Sequence, residues 1–151
     1  MMIAGPVRVP CGAQTRTRTM ARPPPSPSTA GLPTLCVVEG DEHERQALLG
    51  LFGKLAVQVE SFSSGESLLE SLHEHGIHAL VTELELPGMS GLDLLQELTA
   101  RGHRIPAILL TEGSDVATAV GAMRAGAVDF IEKPVIDRIL LRRVEDALSG
   151  A

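Results

Sequence analysis

The chain has 151 residues, 44% of them hydrophobic, which is enough for one domain with a substantial core and not comfortably enough for two. With no Trp or Tyr and only three Phe, that core must be aliphatic, and the aromatic platforms on which nucleic-acid bases stack are missing. The net charge of -6 is unevenly spread: residues 1–32 carry Arg8, Arg16, Arg18 and Arg22 and no acid, so all 19 carboxylates follow Leu32. An acidic domain repels phosphate backbones, which argues against direct nucleic-acid binding.

Residues 1–32 are rich in Arg, Thr, Ser and Pro, including the run from Pro23 to Pro27, and show no apolar periodicity. They are expected to be a disordered tail. An Arg-rich, acid-free leader also resembles an organellar transit peptide, and Met20 offers a downstream start. No apolar run approaches the roughly 18 residues of a membrane span, and no secretory signal is present, so a cytoplasmic protein is expected. Cys11 and Cys36 form neither a disulfide framework nor a metal pattern, and Cys36, inside an apolar run, is expected to pack as a small hydrophobe.

From Pro33 to about residue 149, apolar runs of strand length alternate with helix-periodic stretches, the pattern of a parallel sheet with helical crossovers. Leu35–Val38 is the first strand, followed by a helix over about 42–53 with Ala47, Leu48, Leu51 and Phe52 inward. Val57–Phe62 is the second strand, and Ser64 opens a helix with Leu68, Leu69 and Leu72 as its apolar positions. His73, Glu74, His75 and His78 match neither one helix face nor a zinc pattern and read as a polar loop.

His78–Glu83 is the third strand, and Pro87–Gly91 turns into a helix carrying Leu92, Leu95 and Leu98, with Ser90 and Asp93 spaced as a capping pair. Ala107–Thr111, Asp115–Ala125, Val128–Ile131 and about 136–149 complete the set as strand, helix, strand and helix. In such open α/β sheets ligands bind beyond the carboxyl ends of the strands, at the point where strand order reverses. The residues leaving the strands there are Glu39, Gly40 and Asp41, then Glu83 and Glu85, Thr111 and Lys133. Carboxylates converging with a hydroxyl and a lysine suit phosphoryl transfer assisted by a hard divalent cation.

The segments Val37–Asp41, Leu80–Leu84, Leu86–Gly91, Leu109–Thr111 and Ala122–Pro134 together resemble the receiver domains of two-component response regulators, particularly the FixJ type, over about 33–149. The resemblance implies a doubly wound, flavodoxin-like fold with a five-stranded parallel sheet in the order 2-1-3-4-5. It implies that Glu83 stands at the phosphoacceptor aspartate, Glu39 and Gly40 at the metal-site acids, Thr111 at the hydroxyl switch, Phe130 at the aromatic switch and Lys133 at the conserved-type lysine. It also implies a cis peptide before Pro134.

The departures fall where the chemistry would be. Gly40 offers no ligand, so any magnesium held by Glu39, Asp41 or Glu85 is expected to bind weakly, and no cofactor is expected. Glu83 projects its carboxylate about 1.5 Å farther than aspartate, so that it can imitate an acyl phosphate by pairing with Lys133 and Thr111. The expectation is a pseudo-receiver, not an enzyme, which acts independently of phosphorylation by protein contact. The chain stops soon after its last helix, so its readout is expected in trans, on a histidine kinase or a separate output protein. A homodimer through the fourth helix, fifth strand and fifth helix is also implied. The alternatives are a working phosphoacceptor for a histidine kinase and an inert dimerisation or decoy scaffold.

Overall fold

The computed structural model describes residues 31–72, 76–113 and 115–150. The expected disordered tail and the His73–His75 part of the polar loop therefore lie outside the described residues. The elements follow the alternation read from the sequence: β1 Thr34–Val38, α1 Glu42–Phe52, β2 Gln58–Phe62, α2 Gly65–Ser71, β3 Ala79–Glu83, α3 Gly91–Ala100, β4 Ala107–Thr111, α4 Val116–Arg124, β5 Ala127–Glu132 and α5 Asp137–Leu148. All neighbouring strands pair in parallel, in the order β2-β1-β3-β4-β5.

The three central strands β1, β3 and β4 are buried along their whole length, as strands covered on both faces must be. Their alternating side chains divide the core in two. Cys36, Val38, Leu80 and Leu109 pack with Leu68, Leu94, Leu95, Leu98 and Ala122 from α2, α3 and α4. Leu35, Val37, Val81 and Leu110 pack on the other face with Leu51, Phe52, Leu140 and Val144 from α1 and α5. Each fully buried Leu or Phe contributes about 1.5–3 kcal/mol relative to exposure, so these two aliphatic layers hold the sheet between its helices.

Cys36 is buried as expected, and burial followed by the nearby Glu60 charge pushes its thiol up to about 12, leaving it unreactive. Ala47 departs from expectation: it is exposed and lines a groove of about 500 Å³ between α1 and α5. In α3 the innermost positions are Leu94, Leu95 and Leu98, while Leu92 is half-buried. His78 has a local structural task, its Nδ1 accepting from the Thr34 amide at 3.0 Å.

Four helices open on a side-chain cap. Asp41, Ser64, Ser90 and Asp115 accept from the amides of Glu44, Ser67, Asp93 and Thr118, and Ser90 with Asp93 completes the anticipated capping box. Each such cap stabilises its helix by about 1 kcal/mol, and each marks where the chain leaves the carboxyl end of a strand. No helix among the described residues is long and apolar enough to cross a membrane.

Candidate functional site

The sheet order reverses between β1 and β3, and the residues that leave these strands are acids. Glu39 follows β1 and Glu83 ends β3; both are about 4% exposed. Glu39 is fixed from two directions, since its Oε2 accepts from the Asp41 amide at 3.2 Å and its carbonyl accepts from Arg45 Nη1 at 2.8 Å. Glu83 is fixed by close packing: a Cβ on Gly91 would lie 2.4 Å from the Glu83 carbonyl oxygen, so only glycine lets α3 start this near the end of β3. Gly91 thus serves a close approach, and Gly88, with φ of 78°, serves the turn before it.

Lys133 follows β5. Its amide donates to the Thr111 carbonyl at 2.7 Å, and the Lys133–Pro134 peptide is cis, as the resemblance implied. The ammonium reaches across to Glu44 at 2.5 Å, Glu83 at 2.6 Å, Glu39 at 3.4 Å and Glu112 at 4.0 Å. Burial disfavours the Lys133 charge, but the bonds to Glu44 and Glu83 and the charge of Glu39 outweigh it and raise its pKa.

One ammonium is shared by Glu39, Glu44 and Glu83, so negative charge is in excess. Glu83 Oε1 is buried and has no well-directed hydrogen bond; its 2.6 Å contact with Lys133 is an ion pair without hydrogen-bond alignment. Burial pushes the Glu83 carboxyl up to about 8; Lys133 opposes the rise, while a carboxyl–carboxyl bond to Glu85 and the charge of Glu39 reinforce it. The upward direction follows first from burial, which a single cation divided among three acids does not offset.

Glu85 lies on the other side of Glu83. Its Oε2 accepts from the Thr111 hydroxyl at 2.7 Å, and its Oε1 lies 3.4 Å from the Glu112 amide. Burial works against the Glu85 charge, yet hydrogen bonds from Thr111, Glu83 and the Glu112 amide outweigh it and hold its carboxyl below the ordinary value. The expected pairing of Glu83 with Lys133 is present, whereas the hydroxyl of Thr111 turns to Glu85 instead.

Among the three acids considered for magnesium, only Glu39 lies in the cluster. Asp41 is spent as the cap of α1, and Glu85 is engaged by Thr111. Glu44 joins Glu39 instead: Glu39, Glu44 and Glu83 each bring one oxygen within 4.8 Å of the others. The sequence carried one signal for this, an acid in the first turn of the helix that follows the acidic loop. Such hard oxygen donors suit a divalent cation, and these three residues would hold it, although it would have to compete with Lys133. Gly40 is closely packed, since a Cβ there would lie 2.9 Å from Pro87 Cδ.

Phe130 is half-buried against the core layer under α2, α3 and α4. The face made by α4, β5 and α5 exposes Val116, Val120, Met123, Val128 and Ile139, while Asp129 is tied to Arg143 of the same chain.

Residues 35–145 match the response regulator receiver domain. The chain is 40% identical over 108 residues to Nodulation protein W of Bradyrhizobium diazoefficiens, covering 72% of this chain and 48% of that protein. It is 38% identical over 114 residues to the transcriptional regulatory protein FixJ of Rhizobium meliloti, covering 76% of this chain and 56% of that one. The chain thus spans about half the length of these curated relatives. Among solved structures it is similar to FixJ-N, with a TM-score of 0.72 and 36% identity over 79% of this chain and 95% of that one. A receiver protein from Pseudoalteromonas atlantica gives 0.73 and 35%, over 78% and 98%. Receiver domains are signalling modules, generally not enzymes; they bind Mg²⁺ at an acidic pocket and interact with histidine kinases or output domains. The chain belongs to the response regulator receiver domain family.

Proposed function

We propose that this receiver signals without being phosphorylated, through protein contact in the cytoplasm. The observation that carries this reading is the carboxyl of Glu83, buried at the end of β3 and already 2.6 Å from the Lys133 ammonium. An acid at that position is one methylene longer than aspartate and meets the lysine unmodified, so the interaction that a phosphoryl group would make is permanently in place. A constant charge biases a two-state switch continuously.

Magnesium, when bound, neutralises the oxygens of an incoming phosphoryl group. In this reading it binds weakly, since Gly40 contributes no ligand and Lys133 already bridges Glu39, Glu44 and Glu83. Partner proteins, a histidine kinase, an output protein or a second copy, meet the face of α4, β5 and α5, where exposed Val116, Val120 and Met123 offer apolar area. The test is incubation with acetyl phosphate and Mg²⁺ followed by intact mass. No stable gain is expected, and a stable gain of one phosphoryl group rejects the reading in favour of a working phosphoacceptor.

A further inference from the structure

A hydroxyl has one proton to donate, and Thr111 gives its proton to Glu85. Thr111 is only 1% exposed, so its hydroxyl is shielded from bulk solvent, and its acceptor side is also used, taking the Gly113 amide at 3.1 Å. Glu85 itself is exposed, and it spends one oxygen on Thr111 and presents the other to the Glu112 amide at 3.4 Å. A single carboxylate therefore joins the turn after β3 to the last residue of β4 and to the Glu112 amide, while the Gly113 amide is held through the Thr111 hydroxyl. Charge-assisted hydrogen bonds of this kind are about twice as strong as neutral ones.

We propose that Glu85 is a positioning residue: its carboxylate is the anion that Thr111 senses, and it latches Thr111 and the Glu112–Gly113 backbone in one arrangement whatever the state of Glu83. Thr111 cannot donate to an anion on the Glu83 side while Glu85 holds its only proton. The switch position at the end of β4 is thereby satisfied from within the chain, by a residue two positions beyond the strand-end acid.

The meaning of the latch rests on the phosphorylation-independent reading, but its test does not: a phosphoryl gain seen by mass would remove that reading and leave the result below standing. The test is amide hydrogen exchange at Glu112 and Gly113, followed by NMR in the full chain, for wild type, Glu85→Ala, Thr111→Val and the double variant. Glu85→Ala and Thr111→Val are each expected to speed exchange at these two amides about tenfold, a loss of about 1.4 kcal/mol of local protection. The double variant should exchange no faster than Glu85→Ala at Glu112 and no faster than Thr111→Val at Gly113, because each of those single variants already removes that amide's acceptor together with the Thr111–Glu85 bond. Thr111→Ser keeps the hydroxyl and should retain wild-type protection, which separates loss of the bond from loss of packing. Unchanged exchange in Glu85→Ala overturns the proposal, as do fully additive effects, or acceleration by Glu83→Gln without acceleration by Glu85→Ala.

Discussion

Glu44, in the first turn of α1, places its Oε1 2.5 Å from the ammonium of Lys133, 89 residues further along the chain. The contact ties the helix after β1 to the loop after β5 and brings a third carboxylate to a lysine already paired with Glu83 and Glu39. Glu44→Gln should lower stability only modestly, by about 0.5–1 kcal/mol, because its side chain is 41% exposed and solvent screens the pair. Urea denaturation reads this directly; a loss of several kcal/mol would mean that Glu44 has a larger role than a screened ion pair allows.

Lys133 is the opposite case. Its side chain is 19% exposed and it faces Glu39 and Glu83, each about 5% exposed. Lys133→Met leaves the buried Glu39 carboxylate and the Glu83 carboxyl beside it without their cation, and should cost about 3 kcal/mol at neutral pH and more above pH 8, where Glu83 is also charged. Millimolar Mg²⁺ should then raise the Tm of this variant more than that of wild type, since the ion no longer competes with the ammonium. Equal Mg²⁺ shifts in the two proteins would show that Lys133 and the cation do not share a site.

The raised pKa of Glu83 makes stability depend on pH in a definite direction. Its folded value, about 8, lies above the ordinary 4.5, so its contribution is fully present below 4.5 and is lost as pH rises through 8. Compared with Glu83→Gln, wild type should lose stability across that interval, and the substitution should flatten the profile. Denaturation midpoints collected at several pH values decide it; parallel profiles would place the Glu83 carboxyl back near its ordinary value.

Close packing limits what can be rebuilt at the site. Glu83→Asp alone is expected to take up little phosphoryl from acetyl phosphate, because Gly40 still offers no ligand. Adding Gly40→Asp should increase uptake but cost about 1–3 kcal/mol, since the new Cβ meets Pro87 Cδ at 2.9 Å and the turn after β3 must move. Intact mass and denaturation of the same samples measure both effects. Normal uptake by the single variant would show that the missing acid at Gly40 does not matter.

Gly91 is tighter still. With a Cβ at 2.4 Å from the Glu83 carbonyl, backbone itself must shift, so Gly91→Ala should destabilise by at least about 1–3 kcal/mol and displace Glu83 from Lys133. A wild-type denaturation midpoint in this variant would show that α3 and β3 have room that the close approach denies.

The order of strands and helices was legible along the chain because burial on both faces demands continuous apolar runs in β1, β3 and β4, and because Ser90 with Asp93 marks the start of α3 locally. The candidate site residues Glu39, Glu83, Thr111 and Lys133 could be picked out for the same reason: in an open parallel sheet the residues that follow the strands share one edge. Which of them touch was not legible. Thr111 meets Glu85 across 26 residues and Lys133 meets Glu39 across 94, and no spacing rule operates over such separations. Asp41 looked like a ligand and became a cap, because a helix start satisfies its own amides with the nearest acid. Glu44 carried no site signal beyond its place in the first turn of a helix and became a partner of Lys133, because the packing of α1 against the sheet aims that turn at the site. Local chemistry and periodicity determined the elements and the edge where the acids gather; the division of one lysine and one hydroxyl among five carboxylates, Glu39, Glu44, Glu83, Glu85 and Glu112, was decided only when the segments came together in space.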